Sequence, residues 1–138
     1  PLDEMPTTGT ATFEGKVVGS VLTNNSIRSL TGGSDLNVDF AAGLIDVTLT
    51  TIIREGGGQT GGTTFIPYKN VSGRGAISDT TFSGTLSEIN GTATGDFEGA
   101  FFGPVANEAG GTFEFGNGSG YVSGAFTAAQ PANLEDAN

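Results

Sequence analysis

Strict alternation of two kinds of residue over the segment 91–103 is the feature that most constrains the fold of this 138-residue chain. Small or aromatic residues such as Ala93, Phe97 and Phe101 occupy one set of positions, and polar residues such as Asp96 occupy the other. A period of two is typical of a half-buried β-strand, because successive side chains point to opposite faces of a sheet. We therefore expect a strand here whose glycine and phenylalanine positions face a core.

Seven further segments also have the character of strands. The chain contains 24 glycines and 10 phenylalanines but only 14% charged residues, and each glycine inside a helix would cost roughly 1 kcal/mol relative to alanine. Eight strands without a helical segment indicate an antiparallel barrel or a sandwich, and the mixture of glycine and phenylalanine on the inner face favours a small closed barrel. We predict an all-β fold: a single eight-stranded antiparallel up-and-down β-barrel with a filled interior. The predicted strands lie within 9–19, 35–41, 45–53, 63–76, 80–88, 91–103, 111–115 and 122–126, and Pro67 interrupts or edges the fourth.

The two ends of the chain lack this alternation. Residues 1–8 and 129–138 are predicted to be N-terminal and C-terminal tails, and residues 9–128 a single barrel domain. Because the chain starts at Pro1 without an initiator methionine, we expect either a processed stand-alone protein or one barrel cut from a longer chain.

The charge balance excludes several classes of partner. With 15 acidic and 5 basic residues, the net charge is -10, which repels phosphate backbones and anionic lipid headgroups. We therefore expect no nucleic acid partner. No apolar run approaches the ~20 residues of a membrane helix, and a barrel in lipid would need its apolar residues outside, so no membrane insertion is expected.

The chain has no cysteine and no histidine. Thiolate chemistry and a zinc site are therefore excluded, and a hydroxyl nucleophile lacks its usual base. Two carboxylate pairs, Asp96/Glu98 and Asp35/Asp39, lie on a predicted solvent face and are interpreted as solvated surface. Gly32–Asp35 is superficially similar to a calcium loop but lacks the supporting repeat, and Gly56–Gly62 lacks the Lys-Ser/Thr of a phosphate loop. We predict no enzymatic activity and no metal.

The segment Gly99–Phe113 is the most informative about kinship. It reads as two strands joined by a loop, with Phe101 and Phe113 buried, Phe102 more exposed, and glycines where bulky residues cannot fit. It resembles the hairpin near the C-terminus of the small barrels in transferrin-binding protein B and factor H-binding protein, surface proteins of Gram-negative bacteria that bind host molecules. The resemblance covers most of Gly9–Ala128 and extends to Gly9–Gly15, Leu36–Ala42, Phe82–Gly84 and Gly124–Ala128.

This resemblance implies a non-enzymatic ligand-binding barrel, secreted or on the cell surface at the outer leaflet of a Gram-negative outer membrane. Its expected partner is a host or other protein bound through loops, in iron or nutrient acquisition or host-factor binding, and a monomer is expected. The chain departs from many members in lacking an N-terminal cysteine for lipid attachment, and from the large members in leaving no room for a handle domain. Two alternatives remain open: a haem carrier with a tyrosine ligand, and a structural or spacer domain of a larger surface or adhesive protein.

Candidate binding residues come from the predicted loops Ser20–Ser34 and Glu55–Thr63, because rigid scaffolds carry function in their loops. Arg28 and Arg54 lie at or in these loops, and Lys69 and Arg74 flank the predicted fourth strand. No cofactor is assigned, although haem could be bound.

Tyr68 is the better of the two candidate tyrosine ligands for haem iron, since Tyr121 is predicted to face outward. Glu108 is predicted to hold a tight turn ahead of Gly110 and Gly111, because carboxylates in turns accept backbone N–H bonds.

Overall fold

Eight strands form a closed antiparallel barrel in chain order. The computed structural model describes residues 9–23, 26–56, 63–102, 107–117 and 120–130. Each strand pairs with the next, and the last pairs with the first to close the barrel. The predicted all-β up-and-down barrel is confirmed. The strands are β1 (Thr10–Thr23), β2 (Ser26–Asp39), β3 (Leu44–Gly56), β4 (Thr63–Ser78), β5 (Thr81–Glu88), β6 (Thr94–Phe102), β7 (Glu108–Asn117) and β8 (Gly120–Ala129).

Alternation along each strand determines which side chains face the core. In β1, Phe13, Val17 and Val21 are fully buried, whereas Glu14 and Lys16 are exposed. The buried side chains of all eight strands form one apolar cluster. The interior is therefore filled with side chains, as small barrels of this strand number permit.

Phenylalanine rings make up much of this core. Phe101 lies at the centre of an aromatic group, with ring centroids 5.7 Å from Phe13, 5.8 Å from Phe40 and 5.1 Å from Phe82. All three pairs are tilted, an arrangement that aromatic rings prefer over direct face-to-face stacking.

The β6–β7 hairpin has the predicted inside and outside. Phe101 and Phe113 are buried and Phe102 is half exposed. Gly99 and Gly111 lie opposite each other, and a Cβ added to Gly111 would come within 2.0 Å of the Glu98 carbonyl oxygen. These glycines stand where the neighbouring strand leaves no room for a side chain. The loop between the strands, residues 103–106, lies outside the described residues.

The prediction of a long loop at Ser20–Ser34 is wrong. β1 continues to Thr23 and β2 begins at Ser26, so both strands run well past the predicted boundaries. The cause is the inner face of early β2, which carries Arg28, Gly32 and Ser34 and so hides the apolar alternation. Inside the barrel, the Ser34 hydroxyl finds a hydrogen-bond partner by donating to the Thr127 carbonyl at 2.8 Å.

β4 contains the irregularity expected around Pro67. The register between β3 and β4 shifts between Thr50 and Ile52, and Pro67 pairs with Ile52 at this point. A proline cannot donate to a ladder and is tolerated at such bulges. The Thr51 hydroxyl donates to the carbonyl of Lys69 and so satisfies an acceptor near the shift.

Parts of the predicted tails and of one predicted loop lie outside the described residues, namely 1–8, 57–62 and 131–138. β3 extends to Gly56 and β4 starts at Thr63, so the predicted loop Glu55–Thr63 is flanked by strand on both sides. Nowhere in the described ranges does a helix occur that is long and apolar enough to cross a membrane.

Candidate functional site

Four hairpin connections meet at one end of the barrel. They join β1 to β2, β3 to β4, β5 to β6 and β7 to β8, and we call this the hairpin end. The opposite end holds the turns 39–44 and 78–81 and the loop between β6 and β7. Because a filled interior leaves little space for a ligand, the ends and the outer wall are the candidate binding surfaces.

An ionic clamp holds the strands together near the hairpin end. Lys69 on β4 lies 3.4 Å from the carboxylate of Glu88, the last residue of β5. The same carboxylate accepts a bond from the Ala93 backbone N–H at 3.2 Å. Partial burial acts to raise the pKa of Glu88, but the hydrogen bonds from Ala93 and Lys69 outweigh it, and the pKa lies below its ordinary value. The clamp therefore favours an ionised Glu88.

Tyr68 closes part of the barrel at this end. Its half-buried side chain packs against the core, and a Cβ added to Gly120 would lie 2.7 Å from the phenolic oxygen. The Lys69 ammonium stands 5.2 Å from the ring centroid, an arrangement that favours attraction between the cation and the ring. The Tyr68 ring thus has a packing role at the hairpin end.

Arg28 and Arg54 lie on strands and not in a loop, which corrects their predicted placement. Arg28 is on β2 opposite buried Val21, and its guanidinium donates to the Thr23 hydroxyl at 3.0 Å. Arg54 is on β3 beside Ser29, and its side chain is exposed on the outer wall. The structure brings the two backbones together but places the side chains on opposite faces of the sheet.

Arg74 is separated from the other candidate cations. It lies within β4, in the half of the barrel nearer the opposite end, and not at the edge of the strand. Its guanidinium donates to Asp46 at 2.8 and 3.2 Å. This bond lowers the pKa of Asp46 below its ordinary value and raises the pKa of Arg74 above its own. The pair is exposed, so we assign it to the surface and not to a site with Lys69.

Glu108, Gly110 and Gly111 lie on β7 and not in a turn, which corrects their predicted placement. Glu108 is exposed and pairs with Phe102 across the hairpin. The turn-holding role of its carboxylate stays a prediction.

The outer wall formed by β6 and β7 is acidic. Asp96 and Glu114 stand directly opposite each other on these strands, and Glu98 is the next outward residue of β6. The Tyr121 hydroxyl donates to Glu114 at 2.7 Å, and this bond raises the pKa of Tyr121 above its ordinary value. Within the part of the chain that the structure describes, no three acidic side chains are grouped closely enough to hold a metal ion.

Exposed apolar side chains on the outer wall are the feature that sequence reasoning missed. They lie near the hairpin end on β1, β2, β4 and β8, at positions where alternation calls for polar residues. The signal was present, because Val18 and Leu22 share the outward parity of Glu14 and Lys16 in β1. The exposed apolar residues of this region include Val18, Leu22, Ile27, Phe65 and Tyr121.

Comparison with known proteins places this barrel in a described family. The family model of the C-lobe and N-lobe beta barrels of Tf-binding protein B, where Tf denotes transferrin, matches residues 5–130. No curated protein matches the chain by sequence.

Solved structures agree with this match. A transferrin-binding protein B variant from Haemophilus parasuis superposes with a TM-score of 0.69 at 20% identity, over 95% of this chain and 28% of that one. Transferrin-binding protein B from Neisseria meningitidis gives 0.65 at 22% identity, over 92% of this chain and 26% of that one. The N-lobe of lactoferrin-binding protein B from Moraxella bovis gives 0.53 at 14% identity, over 90% and 60%. At these identities the superpositions establish the fold, and the chain spans about a quarter of the first two proteins.

Proposed function

Because the chain belongs to the family of the C-lobe and N-lobe beta barrels of transferrin-binding protein B, we propose that it is a non-enzymatic binding barrel for a host protein. In this proposal it acts at the surface of a Gram-negative cell or after secretion, in the capture of iron or another nutrient or of a host factor. The names of its structural relatives support the proposal, since they bind transferrin and lactoferrin and one is described as a surface lipoprotein.

The observation that carries this proposal is a filled barrel. Core side chains from all eight strands leave the ligand to the ends and the wall. Near the hairpin end, Arg54 is exposed on the outer wall, and Arg28 on β2 and Lys69 on β4 are half-buried. A protein partner suits such a surface, since interfaces are enriched in arginine and aromatic residues.

The carboxylates of the chain support a binding role over catalysis. Asp96, Glu98 and Asp35 are exposed on the outer wall, as is usual for solvated surface carboxylates. The sequence offers no histidine or cysteine to act beside them.

The haem alternative depends on Tyr68. Its phenolic oxygen is packed towards Gly120 and its ring lies beneath Lys69, so an iron ligand role would require this packing to open. The spacer alternative is supported by the length of the match, because the chain spans only a small part of its larger relatives. We rank protein binding above both.

Label-free binding tests the proposal. The immobilised chain is offered purified transferrin and lactoferrin, iron-loaded and iron-free, and then whole serum. We expect saturable retention of one host protein, slower association in Arg54→Ala, and weaker binding at high salt, because exposed charges such as Arg54 mainly change association rate and salt dependence. Arg74→Ala is the matched control, since its cation pairs with Asp46 in the other half of the barrel.

A parallel hemin titration separates the alternatives. Stoichiometric hemin binding with a Soret shift that Tyr68→Phe abolishes, together with no retained host protein, would overturn the proposal in favour of a haem carrier. No binding of either kind would favour the spacer.

A further inference from the structure

A shallow groove on the outer wall lies between β1 and β4, just below the hairpin end. It has a volume of about 410 Å³. Its floor is formed by Gly19 of β1 and by Ser29, Leu30 and Thr31 of β2. Taller side chains stand on either side: Val18 on β1, and Arg54 and Phe65 on β3 and β4. We call this the wall groove and define it by these seven residues: Val18, Gly19, Ser29, Leu30, Thr31, Arg54 and Phe65.

The rims of the wall groove are apolar and open to solvent. Val18 is 60% exposed and Phe65 is 58% exposed. Beyond them, Ile27, Leu22 and Tyr121 form a continuous outward row across β2, β1 and β8, because each is the direct partner of the next. Ile27 is 74% exposed and the other two are 46% exposed. Contiguous exposed apolar side chains of this kind mark interaction surfaces, whereas single ones need no explanation.

Arg54 supplies the charge of the wall groove. It stands directly opposite Phe65 on one side and Ser29 on the other. Arg54 takes part in neither the Lys69–Glu88 nor the Arg74–Asp46 ion pair, and no carboxylate in the described ranges is paired with it. A guanidinium has five donors in a fixed fork that matches a carboxylate, so this exposed group among apolar neighbours is complementary to one.

The closed barrel restricts how a partner can dock here. At the groove, β1, β2 and β3 are each paired with a strand on both sides, so their backbone groups are used within the sheet. The β4 segment 63–67 is paired with β3 alone, because the pairing between β4 and β5 begins at Val71. A partner that lies across the floor of the wall groove therefore contacts side chains and not free backbone groups.

From this geometry we propose that the wall groove binds a segment of a partner protein that presents a carboxylate between apolar side chains. The carboxylate meets Arg54, and the apolar side chains lie against Val18 and Phe65. The inference rests on the proposed function and deepens it by naming the chemistry of the partner.

A second copy of this chain is a poorer occupant. On its acidic wall of β6 and β7, Glu114 has an exposed aromatic neighbour in Tyr121, but this carboxylate already accepts a hydrogen bond from the Tyr121 hydroxyl. Two copies also repel each other, since each carries a net charge of -10.

A random short-peptide library displayed on phage tests the proposal, with the whole chain as bait. We expect the enriched peptides to carry an aspartate or glutamate flanked by apolar residues. One enriched peptide, synthesised, should bind Arg54→Gln about tenfold more weakly, as should its own carboxylate-to-amide version against the wild-type chain. The two changes together should cost no more than either alone, because they remove the same contact. Phe65→Thr should also weaken binding, and Arg74→Gln should not.

Three results would overturn the inference: no enrichment, enriched peptides without a carboxylate, or equal binding to wild type and Arg54→Gln. Concentration-dependent dimers in sedimentation that Arg54→Gln dissociates would assign the groove to a second copy and also overturn it. The proposed function can fail independently of this inference. If a host protein binds wild type and Arg54→Gln equally well, the inference is wrong and the proposed function stands. If peptides bind at the wall groove but no host protein binds the chain, the proposed function is wrong and the inference stands.

Discussion

At the scale of single residues, the barrel depends on where a side chain is missing as much as on where one is present. Gly111 on β7 lies opposite Gly99 on β6, and the backbone of β6 fills the space that a side chain at Gly111 would need. Gly33 on β2 differs, since the nearest atom to an added Cβ there is 3.8 Å away. The glycine-rich composition therefore has two components, one required by packing and one not.

We expect Gly111→Ala to lower the free energy of unfolding by roughly 2 to 3 kcal/mol, because overpacking forces backbone shifts. Gly33→Ala should be neutral or stabilising by up to about 1 kcal/mol, since the folded state has room and the unfolded chain loses freedom. Urea unfolding of both variants measures the difference. Equal effects of the two substitutions would contradict the close approach of β6 and β7.

Phe113 and Phe102 test the inside and outside of the same hairpin. Phe113→Ala removes a buried ring and leaves a cavity, and should cost about 3 to 5 kcal/mol of unfolding free energy. Phe102→Ala, at a half-exposed position, should cost less than about 1 kcal/mol. Thermal melts of both variants decide the matter, and a melting temperature unchanged by Phe113→Ala would mean that the register is wrong.

At the scale of elements, the bulge between β3 and β4 shows why a polar residue is kept in the core. Thr51 is buried and its hydroxyl donates to the Lys69 carbonyl where the register shifts. Thr51→Val keeps the shape but removes this donor, so an acceptor loses its partner. We expect a loss of about 1 to 3 kcal/mol in urea unfolding, with Thr50→Val on the exposed face as control. A neutral Thr51→Val would contradict the assignment of the bond.

The clamp of Lys69 on β4, Glu88 on β5 and Ala93, just before β6, makes stability depend on pH. The pKa of Glu88 is lowered in the folded state, so its contribution is present above the ordinary glutamate pKa and is lost as pH falls through the folded value. The difference in melting temperature between wild type and Glu88→Gln should therefore be largest near neutral pH and shrink below about pH 4. A difference that does not vary with pH would show that the carboxylate charge contributes nothing.

The elements also show how far sequence reasoning reaches. All eight strands were predicted where inward positions are apolar or glycine, as in β1 up to Gly19 and β6 throughout. Sequence reasoning failed where a strand turns a polar side chain towards the core, as β2 does with Ser34. The burial of Ser34 is made possible by a hydrogen bond to a strand distant in sequence. The wall groove was missed for a related reason. Its residues come from four strands, and the register between these strands decides which of them lie side by side.

At the scale of the whole molecule, charge divides the barrel into two parts. All five basic residues lie between Lys16 and Arg74, so the second half of the sequence, β5 to β8, has acidic residues and no cation of its own. Only Glu88 among those strands is paired with a described cation, by Lys69 from β4. Strands β1 to β4 carry five acidic residues beside the five basic ones, so this side is close to neutral while the β5–β8 side is acidic. This asymmetry orients an approaching acidic protein, since the β5–β8 side repels it more strongly.

The secondary structure of the whole chain is open to a simple check. Far-UV circular dichroism should show a β spectrum with almost no helix, because the described residues form strands and turns. A helical content above about a quarter would contradict the barrel.

The central claim is that a host protein binds at the hairpin end and the adjoining β1–β4 wall. Hydrogen–deuterium exchange of the chain, free and bound to the host protein that it retains in the binding assay, measures this most directly. We expect slower exchange in β1–β2 peptides that cover residues 18–31 and in peptides that cover residues 65–69, with the turn at 39–44 unchanged. Protection confined to the turns at 39–44 and 78–81, or no protection at any described residue with that host protein at saturating concentration, would contradict the claim.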